Sequence, residues 1–238
     1  MNDIQLISSV DADSVIARVV SDLTDYISSA VTNNKEVHIS LTGGRAGTKI
    51  AKQLFASSSI NSQLVHIWWS DERYLESGNP DRNDSVVPSS IVTKAQIHRL
   101  PSTDTTSDLS EAVKKATSDL HLNTTTRFCD RNVLMDISLL SIGPDGHIAS
   151  LFPGHSALLS TTAIAGISDS PKPPAERLTW TFPTLNASEQ IWFIATGSEK
   201  AHAVSKLIDG SDPQVIPACG VAGKLKTVLY AEKSALVI

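Results

Sequence analysis

Four apolar runs in this chain each stop at a polar, turn-forming segment: VHISL before TGGRAG, VHIWW before SDERY, VLMDISLLSI before GPDGH, and IWFIAT before GSEK. Short apolar runs without polar alternation belong to strands buried on both faces, the pattern of a parallel sheet. Between them the apolar spacing changes to three and four residues. Positions 16, 19, 20, 23, 27, 30 and 31 predict a helix over 12–32, with Asp11 or Asp13 as its cap. Further helices are predicted at 48–55, 107–120 and 199–207, and further strands at 161–168, 177–181 and 225–231. Strands alternating with helices define an α/β fold, a mostly parallel sheet covered on both faces.

Segments 76–90 and 168–176 are the expected flexible stretches. Neither has the length or compositional bias of a linker and no internal repeat is visible, so 1–238 is expected to form one domain. Ligands of open parallel sheets sit beyond the carboxyl ends of the strands. Thr42–Arg45, Ser70–Arg73, Gly143–His147 and Thr196–Lys200 each follow a predicted strand, so four polar turns should share one edge of the sheet.

Composition narrows what can bind there. The formal charge of -5 opposes general affinity for nucleic acid or an anionic membrane. No apolar run approaches the ~18 residues needed to cross a bilayer. Cys129 and Cys219 form no spaced pair of the CxxC kind, which suits a reducing compartment. The opening MNDIQLISSVDADSV has no basic leader. The expectation is a cytoplasmic protein, monomer or weak homodimer, acting on a small molecule.

The turns themselves carry the chemistry. In TGGRAG, Gly43 and Gly44 let backbone approach an anion at the start of a helix, with Arg45 beside them. The segment matches neither GxGxxG nor the P-loop pattern. Arg73, after WWSDE, can fork onto a phosphate or carboxylate, or pair with its acidic neighbours Asp71 and Glu72 on the surface. Asn83 can donate to a sugar hydroxyl or cap a helix. Lys200 near a helix start opposes the helix dipole, which suggests an anionic ligand. Arg177 is a candidate for the same anion or for an internal ion pair.

His147 is the sharpest candidate. Gly143, Pro144 and Gly146 fix the turn around it, and Asp145 can hold its imidazole in one tautomer. His38, His66, His98, His121, His155 and His202 have no comparable setting and receive no role. No GxSxG elbow or HExxH motif is present, and the spacing offers no metal-ligand set. A water activated by a histidine base is therefore simpler than covalent or metal chemistry, and no cofactor is called for.

GPDGHIASLFPG, with the upstream TGG turn, WWSDER, RLTWTFPTLN and TGSEKA, resembles the 6-phosphogluconolactonase family in order from about Leu41 to Ala201. The resemblance implies a three-layer α/β/α domain with a modified Rossmann sheet, like glucosamine-6-phosphate deaminase and ribose-5-phosphate isomerase. It also implies metal-free hydrolysis of 6-phospho-D-glucono-1,5-lactone in the oxidative pentose phosphate pathway. Matched by position, His147 is the base with Asp145 beside it, and Gly43, Gly44, Arg73, Arg177 and Lys200 are anion-binding residues. Two departures stand out: Arg45 fills a place commonly held by serine, and Arg82 precedes Asn83 where serine is usual.

Two rival readings remain on this fold. A deaminase-type isomerase has a glutamate supporting the histidine, at the place where this chain has Phe152. A non-catalytic sugar-phosphate sensor would need only the cationic groups, without Asp145 and His147.

Overall fold

Burial on both faces, inferred from the uninterrupted apolar runs, is what the fold displays. A computed structural model describes residues 4–236, and the first residues of the amino-terminal stretch lie outside them. In chain order the strands described are β1 (Ile4–Ser9), β2 (Val37–Leu41), β3 (Val65–Trp69), β4 (Asp71–Arg73), β5 (Gln96–Ile97), β6 (Met135–Ser141), β7 (Ile164–Ile167), β8 (Arg177–Trp180), β9 (Ser188–Ala195) and β10 (Lys226–Glu232). Seven of them form one parallel sheet in the order β1-β10-β9-β6-β2-β3-β5. Every residue of β2 is buried.

The order reverses at its middle. From β2 the chain builds outward through β3 and β5, while β6, β9 and β10 lie on the other side of β2. The carboxyl ends of β2 and β6 therefore diverge into a crevice at a topological switch point, where open α/β sheets bind ligands. Thr42 Oγ1 ties the two ends together by accepting the Ser141 N–H at 3.2 Å.

Helices flank the sheet. Helix α1 (Ala12–Thr32) packs on α2 (Gly44–Ala56), and its buried stripe is Val15, Ile16, Val19, Leu23 and Ile27. Asp11 caps α1, accepting the Ser14 N–H at 2.7 Å. Helix α2 starts inside TGGRAG rather than at residue 48, so its free N–H groups open directly into the crevice. Helix α3 (Leu109–Arg131) runs well past the expected end at residue 120. Its second half is polar, and Arg127 anchors it by donating to Asp136 of β6 at 2.6 Å. An apolar stripe could not reveal that extension. Helices α4 (Phe182–Leu185) and α5 (Ala201–Asp209) follow β8 and β9. Among the described residues no helix is long and apolar enough to cross a membrane.

A second, antiparallel sheet, β4-β8-β7, packs against α3. It contains Asp71–Arg73, read from the sequence as part of a polar turn after VHIWW. Those residues form a strand because their polar groups are satisfied inside the protein. Glu72 is 1% exposed, and its carboxylate accepts the N–H groups of Arg73, Asn83 and Asp84 at 2.7, 2.7 and 2.9 Å.

Candidate active site

The crevice between β2 and β6 is a cleft of about 420 Å³. Of the candidate catalytic and binding residues, all but Asp145 line it: Gly43, Gly44 and Arg45, Asp71, Arg73 and Asn83, His147, Arg177 and Lys200. Asp145 contacts it through His147. Larger cavities exist elsewhere, of about 590 and 760 Å³; the second is lined by His98 and Asp119, 3.6 Å apart, but neither is lined by the first turn of an α-helix. Chemistry, not size, selects the cleft.

His147 Nδ1 bonds Asp145 Oδ1 directly, as two residues on one tight turn permit but do not guarantee. Burial alone would raise the Asp145 carboxyl. The hydrogen bond and charge of His147, together with the charge of Lys172, outweigh that and hold it well below the usual carboxylate range. With Asp145 accepting from Nδ1–H, the lone pair lies on Nε2. Phe152 is buried and its ring lies 4.9 Å from the imidazole, walling one side. Gly143 is required beneath: a Cβ there would sit 1.9 Å from His147 Nδ1.

The loop read as flexible at 76–90 is closed by Arg82. This guanidinium is 3% exposed and donates to Asp84 at 2.9 and 3.0 Å and to Leu100 O at 2.7 Å. Arg82 thus builds the turn that delivers Asn83. Burial pushes the nearby Glu72 carboxyl up to about 7, with the Arg82 charge opposing. Asn83 Nδ2 donates to Asp71 O at 2.9 Å, and its Oδ1 lies where a Cβ on Gly43 would be only 2.1 Å away. Gly43 is therefore glycine so that two loops can touch. Asp71 is buried and accepts the Ser150 hydroxyl at 2.7 Å, so it holds the cleft wall from inside.

The cations differ in how they are held. The Arg45 side chain is 94% exposed at the rim and pairs with Glu199 at 3.4 Å. Arg73 donates to Asp81 O. Lys200 precedes α5, donates to Ser141 Oγ at 3.4 Å, and has its ammonium pKa lowered by burial. Arg177 is 5% exposed and forks onto the carbonyls of Lys172, Pro173 and Pro174 at 3.0–3.1 Å. It staples segment 168–176 over the cleft through backbone carbonyls, in place of the internal ion pair considered beside anion binding.

Sequence reasoning missed Lys172. It lines the cleft with Nζ 3.2 Å from His147 Nδ1 and 3.7 Å from Asp145 Oδ1. Its proline-rich surroundings read as flexible, and only the arginine that follows hinted at an anchor. Outside the cleft, Glu36, His38 and His66 bring one ligand atom each within 4.8 Å of one another. The two imidazoles stack at 4.1 Å and 7°, so their lone pairs run side by side instead of converging on an ion.

A parallel sheet with a histidine–aspartate pair and helix N–H groups at its switch point has the make-up of an α/β enzyme. The profile of the glucosamine-6-phosphate isomerase/6-phosphogluconolactonase family matches residues 10–229, and the chain belongs to that family. It is 32% identical to the 6-phosphogluconolactonase of Mycobacterium tuberculosis, with 94% of each chain covered. It is 29% identical to that of Streptomyces coelicolor, over 94% of this chain and 88% of the relative. The crystal structure of 6-phosphogluconolactonase from Thermotoga maritima superposes with a TM-score of 0.81 at 22% identity, covering 97% of this chain and all of that one. That likeness supports the same fold.

Proposed function

We propose that this chain hydrolyses 6-phospho-D-glucono-1,5-lactone to 6-phospho-D-gluconate, with His147 as general base, in the oxidative branch of the pentose phosphate pathway. The observation that carries the reading is the His147–Asp145 bond inside a cleft whose other wall is a helix N-terminus with cations around it. The names of the relatives agree with it. Phe152 lies against the imidazole where a ring-opening deaminase would need a carboxylate, which disfavours amine loss. A sensor would have no use for an oriented base.

The phosphate docks at the start of α2, near Arg73 and Lys200, with Arg45 at the rim. This anchors the lactone with C1 towards His147. Nε2 takes a proton from water as its oxygen bonds to C1, and the carbonyl electron pair moves onto oxygen. The carbonyl then re-forms, the bond from C1 to the ring oxygen breaks, and His147 returns its proton to that oxygen. Asp145 keeps the imidazole oriented throughout.

The test uses freshly generated lactone, purified protein and acid release followed against spontaneous hydrolysis. Wild type should accelerate release, and His147→Ala should lose about 10²- to 10⁴-fold in kcat. Ammonia release from glucosamine 6-phosphate, without lactone hydrolysis, would sink the reading.

A further inference from the structure

We propose that Lys172 is a catalytic residue, its ammonium holding the negative charge that develops on the lactone carbonyl oxygen when water attacks C1. The inference rests on the lactonase reading above. Among the described residues, Lys172 is the one cation bonded to the His147–Asp145 pair, at 3.2 Å from Nδ1 and 3.7 Å from Oδ1. The other cations of the cleft are turned to other partners: Arg45 to Glu199, Arg73 to Asp81 O, Lys200 to Ser141, and Arg177 to three consecutive carbonyls. A water activated by His147 must meet C1 next to the imidazole, so the carbonyl oxygen also forms there. Lys172 is the charge held beside that ring, on its Nδ1 side and within a side-chain swing of the reacting end.

Its position is built rather than incidental. Ser170 Oγ donates to the Lys172 carbonyl at 2.9 Å, Ser170 N–H donates to Ala175 O at 3.1 Å, and Arg177 clamps the same turn from beneath. The backbone is fixed while the side chain is about half exposed (45%), so the ammonium can move over a short arc. It lies 6.0 Å from the centre of the Phe152 ring, the same ring that walls His147.

The hydrogen bonding explains why that ammonium is available. Nδ1 faces two partners, Asp145 as acceptor and Lys172 as donor, and one ring nitrogen cannot serve both. A base at Nε2 requires Nδ1–H, which goes to Asp145. Lys172 then has no acceptor on the ring and keeps only the longer contact to the carboxylate. An arriving carbonyl oxygen that gains an electron pair as the new C1–O bond forms is a better acceptor. When the C1–ring oxygen bond breaks, the charge leaves that oxygen and the ammonium returns, its protons unchanged in number. The ammonium acts by electrostatics alone, as preorganised donors do at developing oxyanions.

The experiment compares wild type, Lys172→Met and Lys172→Arg on fresh lactone, with 6-phosphogluconate inhibition measured separately. Losing one oxyanion donor lowers kcat by about 10²- to 10³-fold. Lys172→Met should show that loss with KM within about threefold of wild type and with weaker 6-phosphogluconate inhibition, since the product's C1 carboxylate carries charge at the same oxygen, and Lys172→Arg should recover at least tenfold of the lost kcat. A kcat within threefold of wild type in Lys172→Met overturns the proposal. So does a raised KM with kcat kept, which would make Lys172 a phosphate clamp. Lys172→Gln gives the same readout should the methionine variant fold poorly. Wild type inactive on the lactone defeats the parent reading, whereas active wild type with an unaffected Lys172→Met defeats this inference alone.

Discussion

Gly143→Ala isolates the geometry of the histidine–aspartate pair from everything else in the cleft. A Cβ at this position would lie 1.9 Å from His147 Nδ1, 2.0 Å from its Cε1 and 2.5 Å from Asp145 Oδ1. Ordinary contact begins at 3.4 Å, so the imidazole must retreat by ~1.5 Å or the turn must open. The backbone at residue 143 is not in the left-handed region, so alanine adds no conformational strain of its own. The clash falls on the two side chains that do the chemistry. A misplacement of about 1 Å costs on the order of 10²-fold in rate, and complete loss of a general base costs up to about 10⁴-fold. Gly143→Ala should therefore lower kcat by 10²- to 10⁴-fold. Overpacking costs about 1–3 kcal/mol, which leaves the protein folded. KM should stay within a few-fold, since the anion-binding groups are untouched. Steady-state kinetics on fresh lactone, with a thermal melt of the same sample, reads all three quantities. A variant with wild-type kcat would show that the reaction does not depend on where this imidazole sits, and the base assignment would fall with it.

Other perturbations separate the remaining roles. Asp145→Asn keeps the shape but weakens selection of the Nδ1–H tautomer, and kcat should fall by at least about 10²-fold, where loss of an orienting carboxylate can cost ~10⁴; unchanged turnover would make Asp145 a loop residue only. Lys200→Ala should raise KM about tenfold with kcat kept, because a phosphate contact remote from C1 binds ground and transition states alike. A loss confined to kcat would contradict that placement. Burial, with the charges of His98 and Arg127, draws His66 down to about 4 from 6.5. The unfolded chain then binds the extra proton between those values, so this contribution to stability is complete above pH 6.5 and is lost as pH falls towards 4. Melting temperature should decline across that window, and less steeply in His66→Phe; parallel slopes would clear His66 as a cause.

What the sequence disclosed follows a physical division. The parallel strands were legible because burial on both faces leaves continuous apolar runs, as in VHISL and VLMDISLL. Strand β1 was not: its edge position leaves Gln5 and Leu6 exposed, and IQLISS has neither a continuous run nor a clean alternation. Strand β5 is two residues long and leaves no pattern. The polar half of α3 and strand β4 were hidden for one shared reason, that buried charged groups on them find partners across long sequence separations, Arg127 at Glu36 O and Asp71 at Ser150. His147 and Asp145 stood out because glycine and proline frame them. Lys172 did not, since its bond to His147 comes from a chain segment 25 residues away.

The way the cleft cations are partnered bears on how it would use an anion. Arg45 is paired with Glu199, Arg73 and Arg177 with backbone carbonyls, and Lys200 with a serine hydroxyl. An incoming phosphate therefore exchanges internal bonds for external ones instead of meeting bare charges, which limits ground-state affinity. Uniform tight binding would lower KM without raising kcat, whereas interactions realised only in the transition state raise turnover. The base is oriented in advance by Asp145, and its surroundings are fixed by Gly143 and Phe152. Rigidity is thus concentrated at the reacting end of the cleft, while Arg45, the most exposed cation, lies at the rim. For that reason Arg45→Ala should change KM by no more than about twofold, as for a screened surface charge. A tenfold rise would place the phosphate at the rim and require the lactone to lie in the cleft differently from the orientation proposed.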